Sequence, residues 1–267
     1  MSRSTVEERF NARYVTAVQD FVKDIEGLDS SGIPAPHLPY WGRLYESAPL
    51  RIGVIGRDTR GWGDMSAFIE SVRSDPQKAI KLHHEELDKF SFTRWTNNFG
   101  KTFWDTSMKL VARMHGVEDW KRLKRGLEET PLRSFFWANV NSIERFEVCP
   151  KTNGVSWEAW RKVKDVSERH LDSFQGILDV FRPHIVFLMN WEPGAHFMDF
   201  DLQWKDFGDH QAAAFYEPTK THIFGTAHPS WLNQNHLYDE AISGIMAEAS
   251  RARIAIPTGL SVLNGDT

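Results

Sequence analysis

Three polar side chains stand directly after apolar segments of the sequence, where they could act on a bound ligand. Asp58 follows RIGVIG, Asn139 ends LRSFFWAN, and His228 ends THIFGTAH. A carboxylate can favour a positive charge and orient water. An amide offers one acceptor and two donors, and an imidazole can donate a hydrogen bond at neutral pH. Each residue alone is more typical of a turn or a structural contact, so their chemistry depends on the fold bringing them together.

Hydrophobic patterning predicts the strands and helices that must position Asp58, Asn139 and His228. Apolar segments predict four β-strands, at 51–56, 132–139, 184–190 and 221–228. Apolar residues at helical spacing predict helices at 5–26, 64–73, 156–181 and 236–252, with most of 77–128 helical as well. The third strand is apolar throughout, as is typical of a parallel strand buried on both faces.

Strands that alternate with helices predict an α/β fold, a three-layer sandwich in which helices flank a central, mostly parallel sheet of about four strands. Ligands of such sheets bind beyond the carboxyl ends of the strands. We therefore expect Asp58, Asn139 and His228 to converge at that edge. The chain is interpreted as one domain, 1–267, in which 1–49 is an N-terminal helix followed by a surface connection and 77–128 is a helical insertion.

Composition excludes several classes of protein. The 267 residues are 41% hydrophobic, which is enough for a sizeable core. The one cysteine, Cys149, excludes a disulfide framework, a cysteine-based zinc site and an iron–sulfur cluster within the chain. No HExxH or HxH pattern occurs, so no metal or other cofactor is expected. With neither a secretory signal nor an apolar stretch of about 20 residues, a cytoplasmic protein without a membrane partner is predicted.

Charge and aromatic content leave nucleic-acid binding open. The net charge of −4 does not by itself indicate a nucleic-acid partner, so the basic groups of a DNA-binding surface would have to lie on one face. The 11 tryptophans are explained by core packing or by stacking on bases.

The motifs at the strand ends resemble those of the uracil-DNA glycosylase superfamily. Gly56-Arg57-Asp58-Thr59-Arg60 stands in the place of the family's G-Q-D-P-Y motif, and HPSWL (228–232) is similar to its H-P-S-P-L motif. Between them, FWANVNS resembles the Y-I-T-N-x-V-K segment of the thermophilic branch. The resemblance covers about residues 50–250 and leaves the N-terminal helix and much of 77–128 unmatched.

The resemblance implies a DNA glycosylase that flips a pyrimidine out of DNA and leaves an abasic site. Asp58 would favour the oxocarbenium-like sugar and activate water, while His228 would donate a hydrogen bond to base O2. Asn139 would read the Watson–Crick edge, and Phe68 is the candidate for the ring that stacks on the base. No lysine lies in the motifs, so a monofunctional enzyme without lyase activity is expected.

The same resemblance implies contacts to DNA as the partner of a monomeric enzyme. Leu232 would fill the space that the flipped base leaves, and Ser230 would hold a phosphate. Arg57 and Ser142 are further candidates for DNA contacts.

Two departures from the family decide which alternatives stay open. The cysteines of the thermophilic branch are absent, and Arg60 stands where the family has the tyrosine that closes the pocket against pyrimidine C5. Arg60 would admit a hydroxymethylated or glucosylated base of phage DNA. Excision of such a base would be a role in antiviral defence. The alternatives are uracil excision in repair, a non-catalytic nucleic-acid binder on the same fold and a free-nucleoside hydrolase. Asp58 and His228 argue against the binder, and Leu232 argues against the nucleoside hydrolase.

Overall fold

The computed structural model describes residues 4–57, 62–89, 101–125, 131, 133–144, 146, 154–190, 201–252 and 254. The helices of this part of the chain are α1 (Val6–Asp24), α2 (Met65–Ser74), α3 (Pro76–Lys89), α4 (Lys101–Met114), α5 (Lys121–Lys124), α6 (Trp157–His170), α7 (Phe174–Phe181), α8 (Pro229–Gln234) and α9 (Tyr238–Arg251). The strands are β1 (Tyr40–Trp41), β2 (Ile52–Gly56), β3 (Phe135–Asn139), β4 (Ile185–Leu188), β5 (Lys205–Gly208), β6 (Gln211–Tyr216) and β7 (Thr221–Thr226).

The strands form one mixed sheet in the order β1-β3-β2-β4-β7-β6-β5. The four predicted strands, β3, β2, β4 and β7, are its parallel centre, whereas β1, β6 and β5 pair antiparallel. The α/β class is confirmed, but the expected number of about four strands is wrong, because the described sheet has seven. β6 (QAAAFY) is rich in alanine and β5 (KDFG) is largely exposed, so neither has the apolar or alternating pattern that identifies a strand.

Successive strand residues point to opposite faces of the sheet, and each face is covered by helices. Phe136 and Leu188 point to the side packed by α1, α2, α3, α6 and α7, which we name the α1 face. Trp137 and Phe187 point to the side packed by α4, α5 and α9, which we name the α4 face. Burial on both faces accounts for the continuously apolar central strands.

Helix boundaries follow local capping chemistry. The predicted N-terminal helix is present as α1, which begins with a capping box between Thr5 and Glu8. The single helix predicted at 156–181 is wrong: it is two helices, because Ser173 caps a new helix by accepting a hydrogen bond from the Gly176 N–H at 2.9 Å.

The connection after α1 is not a surface segment along its whole length. Residues 33–40 are all buried, and they end in β1, which pairs with β3. Glycine, proline and serine in this segment predicted a solvent-exposed loop, but its apolar residues pack into the core. Among the described residues, no helix is long and apolar enough to span a lipid bilayer.

Three of the histidines that the structure describes, His37, His83 and His115, are buried, and burial favours their neutral form. Burial lowers the pKa of His83 to about 3 and the pKa of His115 to about 4. Burial also lowers the pKa of His37 well below its ordinary value, and the neighbouring His83 and His84 add to this effect. A protonated imidazole would lose its hydration in these environments without gaining a counter-charge.

We therefore predict that the protein loses stability as the pH falls below about 6.5, the ordinary histidine pKa. The unfolded chain binds protons there while the folded chain does not, so each buried histidine lowers the free energy of unfolding by about 1.4 kcal/mol per pH unit. Together the three groups give a slope of about 4 kcal/mol per pH unit between roughly pH 6 and pH 5. Urea denaturation at several pH values measures this slope.

The exposed His236 provides the control, since His236→Asn should leave the slope unchanged. A free energy of unfolding that stays constant between about pH 7 and pH 5 would show that the buried histidines titrate alike in both states.

Candidate functional site

The carboxyl ends of the parallel strands form one edge of the sheet. Gly56 at the end of β2 pairs in register with Asn139 at the end of β3. On the other side of β2, the Met189 N–H that follows β4 donates to the Ile55 carbonyl at 2.8 Å. β3 and β4 lie on opposite sides of β2, and ligands of open α/β sheets bind at such a switch in strand order.

The side chain of Asn139 lies at this edge beside an aromatic ring. A Cβ atom built on Gly56 would stand 2.9 Å from Asn139 Oδ1 and 3.0 Å from Phe103 Cε2. The Asn139 amide and the Phe103 ring thus meet over Gly56, which has no side chain at the end of β2. Asn139 is only 8% exposed, and Phe103 is partly exposed. An amide next to an aromatic face is an arrangement that can bind a flat polar ring such as a nucleobase.

Helix α4 contacts both the ends of the central strands and the helices that follow β7. Its first turns cover the ends of the central strands, with Ser107 Oγ 3.9 Å from Met189 Sδ. The same helix packs against α8 and α9, which follow β7. The predicted insertion therefore contributes directly to the candidate site.

His228 lies where β7 ends and α8 begins. Its Nδ1 accepts a hydrogen bond from the Ser230 N–H at 3.2 Å, so the side chain caps the helix. In the neutral ring the proton then resides on Nε2, which makes Nε2 a hydrogen-bond donor. At a strand spacing of about 4.8 Å, the ends of β3 and β7 lie about 14 Å apart, with β2 and β4 between them.

Leu232 does not point to solvent, and its expected role in filling the DNA stack is wrong. The side chain is 1% exposed and packs against Ala227 and Ala241. The sequence suggested an exposed loop, but residues 229–234 form α8, whose inner side must be apolar. The exposed side chain of this motif is Trp231, 37% exposed, whose ring centroid lies 4.4 Å from that of His210.

Phe68 is also misplaced by the sequence interpretation. It packs on the α1 face, where its ring centroid lies 6.5 Å from that of Phe21, so the sheet separates it from the Asn139 side chain. Phe103 is the ring that lies at the site, and the motifs did not identify it. It belongs to the unmatched helical segment, and no spacing rule connects it to Gly56 or Asn139.

Ser142 cannot hold a DNA phosphate as expected, because it is 6% exposed and fully engaged inside the protein. Its Oγ lies 2.7 Å from Ser167 Oγ, and its N–H donates to Asp172 Oδ1 at 2.8 Å. Asp172 also pairs with the buried Lys164, whose Nζ donates to Asn141 Oδ1 at 2.8 Å. This buried network fixes the two residues that follow Val140, and thereby the loop that follows Asn139.

The remaining predicted residues are less constrained. Asp58 and Arg60 lie outside the described residues, as does Cys149. Arg57 and Ser230 are both partly exposed at the carboxyl edge, so their DNA contacts stay predictions. No group of three or more metal-ligating side chains occurs in the part of the chain that the structure describes.

Comparison with known proteins adds no family assignment. No protein-family model matches the chain, and no curated protein matches it.

The buried Lys164–Asp172 pair provides a test of how the loop that follows Asn139 is held. Lys164→Met should lower the free energy of unfolding by about 3–5 kcal/mol, because it leaves the Asp172 charge buried without its partner. Asp172→Asn should lower it by less, because Lys164 keeps Glu168 Oε1 at 3.7 Å. The double variant removes both charges and keeps an acceptor for the Ser142 N–H. It should be more stable than either single variant, as chemical denaturation would measure.

The matched control is Lys162→Met in the exposed Lys162–Glu158 pair of the same helix, which should change stability little. Losses that simply add in the double variant would contradict the coupling between Lys164 and Asp172.

Proposed function

We propose that the chain is a DNA glycosylase that flips a pyrimidine out of DNA and hydrolyses its N-glycosidic bond. The observation that carries the proposal is the meeting of the Asn139 amide with the Phe103 ring over Gly56, at the sheet edge where the three motifs end. The resemblance of those motifs to the uracil-DNA glycosylase superfamily supports it. The chain would act as a monomer in the cytoplasm, without lyase activity.

Phe103 and Asn139 would bind the flipped base. The phenyl ring offers a face on which any pyrimidine can stack. The amide can pair with uracil O4 and N3–H, or, after a flip of the amide, with cytosine N4 and N3. In this proposal Phe103 replaces Phe68 as the stacking residue.

His228 would stabilise the leaving base. Cleavage of the glycosidic bond places negative charge on the base and positive charge on the sugar. The Nε2–H donor of His228 would bind base O2 as its charge grows, which is electrostatic stabilisation of the transition state. The Ser230 N–H would hold the imidazole in this tautomer through Nδ1. Asp58, two residues beyond Gly56, would favour the cationic sugar and orient the attacking water.

The preferred substrate in this proposal is a pyrimidine enlarged at C5, such as a hydroxymethylated or glucosylated base of phage DNA. Arg60 in place of a tyrosine would remove a wall from the pocket and add hydrogen-bond donors. Uracil excision in base-excision repair is the alternative within the same chemistry. A non-catalytic nucleic-acid binder is the alternative of another class, and it predicts binding without abasic sites.

The deciding experiment incubates the purified chain with DNA that contains uracil, hydroxymethylcytosine or glucosylated hydroxymethylcytosine, and then measures abasic sites. We expect cleavage of at least one substrate, and the preferred one identifies the C5 group. His228→Ala and Asp58→Asn should each lower turnover by one or more powers of ten, because each removes a group that stabilises developing charge. Asn139→Ala should also lower turnover, since the base loses its polar partner.

Gln19→Ala, at an exposed position of α1, serves as the control and should retain wild-type turnover. Binding of all three DNAs without any abasic product would favour the non-catalytic binder. Wild-type turnover in both His228→Ala and Asp58→Asn would refute the assignment of the site.

Trp231 is the side chain of α8 that would contact DNA bases. Its exposed indole can stack on a base, an interaction worth about 1–3 kcal/mol. Trp231→Ala should therefore weaken DNA binding by about tenfold, with only a small loss of stability from the lost packing against His210. Leu232→Ala should do the reverse, destabilising the fold by about 2–5 kcal/mol, because it leaves a cavity against Ala241.

Binding is measured on single-stranded and duplex DNA, since only the duplex requires its stack to be opened. The matched control is Phe215→Ala, which removes an exposed ring near the opposite edge of the sheet, where Phe215 pairs with His222. Equal losses in Trp231→Ala and Phe215→Ala would contradict a specific stacking role for Trp231.

A further inference from the structure

His37 is a buried histidine that lies among aromatic rings rather than polar groups. The residue is 2% exposed, and neither ring nitrogen has a hydrogen-bond partner in the part of the chain that the structure describes. Its ring centroid lies 4.3 Å from that of Trp137, 5.4 Å from that of Trp62 and 5.7 Å from that of His83. Most buried polar groups of folded proteins are hydrogen-bonded, so a buried ring without a partner is a candidate for binding a ligand.

The protonation state of His37 decides what it can bind. Burial lowers the pKa of His37 well below its ordinary value, and the neighbouring His83 and His84 add to this effect. The neutral imidazole has one N–H donor and one acceptor nitrogen. A hydroxyl group can accept from the first or donate to the second, so either nitrogen can bind it. An anion such as a phosphate binds best to a charged donor, which this ring does not offer.

His37 lies beside the end of β3 that carries Asn139. Its N–H donates to the Ser142 carbonyl at 2.8 Å, and further along the same segment Tyr40 of β1 pairs with Trp137. The segment that carries His37 therefore runs along the side of β3 that faces away from β2. Trp137 precedes Asn139 by two residues, so the two side chains project from the same face of the sheet, about 7 Å apart along the strand.

A layer of aromatic rings extends from His37 to the candidate site. The Trp137 ring, against which His37 packs, lies 5.1 Å from the ring of Trp104 between centroids. The Trp104 ring lies 5.1 Å from that of Phe103, the ring that meets the Asn139 amide. His37 and Phe103 thus lie at two ends of one layer on the α4 face.

The orientation of a bound pyrimidine connects His37 with the C5 position of the base. In the proposed function, His228 at the end of β7 binds base O2, and Asn139 at the end of β3 binds the Watson–Crick edge. The C2 and C5 atoms occupy opposite corners of a pyrimidine ring. A base whose O2 is directed to β7 therefore directs its C5 substituent to β3 and to the segment beyond it, which carries His37.

We propose that His37 is a specificity-determining residue, which hydrogen-bonds the hydroxyl of a hydroxymethyl group on C5 of the flipped pyrimidine. This inference rests on the proposed function and names a residue that selects its substrate. The imidazole binds the hydroxyl as donor or acceptor, according to its tautomer. Uracil has no such group and leaves the ring unpaired. A site built to bind a hydroxyl discriminates against an analogue that lacks it.

The test compares two substitutions of His37 on DNA that contains hydroxymethylcytosine or uracil. His37→Phe keeps a ring and removes both nitrogens, whereas His37→Gln keeps a donor and an acceptor. We expect His37→Phe to lower kcat/KM for hydroxymethylcytosine by about tenfold and to leave kcat/KM for uracil near the wild-type value. We expect His37→Gln to restore much of the preference. Equal losses on the two DNAs, or no loss on either, would overturn the proposal.

The matched control is His115→Phe, which replaces a buried histidine that has a partner. Its Nε2 lies 3.2 Å from Ser134 Oγ, near the start of β3. His115→Phe should lower the free energy of unfolding and leave the preference between the two DNAs unchanged. His37→Phe should not lower the free energy of unfolding, because it removes buried nitrogens that have no partner. A loss of stability as large as in the control, with equal losses on both DNAs, would reduce His37 to a packing residue.

A binding measurement separates this inference from the proposed function. The free bases hydroxymethylcytosine and cytosine contain no glycosidic bond, so they report binding alone. The nitrogen-15 NMR signals of the His37 ring, assigned by their absence from His37→Phe, should shift with hydroxymethylcytosine and not with cytosine. No shift with hydroxymethylcytosine would overturn the proposal. A shift in a chain that excises no base from DNA would support the contact of His37 and refute the glycosylase.

Discussion

The whole arrangement depends on the absence of side chains at two positions of the central strand. A Cβ atom on Gly53 would lie 2.4 Å from Phe136 Cζ, and a Cβ atom on Gly56 would lie 3.0 Å from Phe103 Cε2. β2 has a parallel neighbour on each side and helices on both faces, and a side chain at either position would displace one of these rings. On the α1 face, Phe136 can then stack on Phe181 at a centroid distance of 4.3 Å, which joins α7 to the sheet. On the α4 face, the same absence leaves the space in which Phe103 meets Asn139.

The sequence predicted the parts of the fold that bury long apolar segments. The parallel strands, and the expectation of a site at their carboxyl ends, follow from segments such as HIVFLMN, which are apolar throughout. β5 and β6 escaped prediction because they pair at the edge of the sheet with small or exposed residues. β6 is held by hydrogen bonds to β7, and β5 by hydrogen bonds to β6, and a local pattern does not encode these pairings.

The site could be predicted only where a motif fixes a residue at a strand end. Asn139 lies where the pattern placed it, because its position depends on the strand alone. Phe68 and Leu232 were misassigned because each lies on a helix, where the exposed side is set by tertiary packing. Phe103 reaches the site from a helix that begins 45 residues after Gly56, by contacts that sequence spacing cannot reveal. Sequence reasoning therefore located the edge of the sheet but not the rings around it.

Elements outside the motifs determine the geometry at this edge. Lys164 and Asp172 form a buried ion pair next to the loop that follows Asn139. Such pairs add little net stability compared with apolar residues. Asp172 binds both Lys164 and the Ser142 N–H, so the pair connects α6 to the loop that follows Asn139. β6 also contributes at this edge, because it runs antiparallel to β7 and so places His210 beside Trp231. The 77–128 insertion and β6 thus both contribute side chains near the carboxyl ends of the parallel strands. A site built in this way can change its ligand through these surrounding elements while β2, β3 and β7 keep the same register.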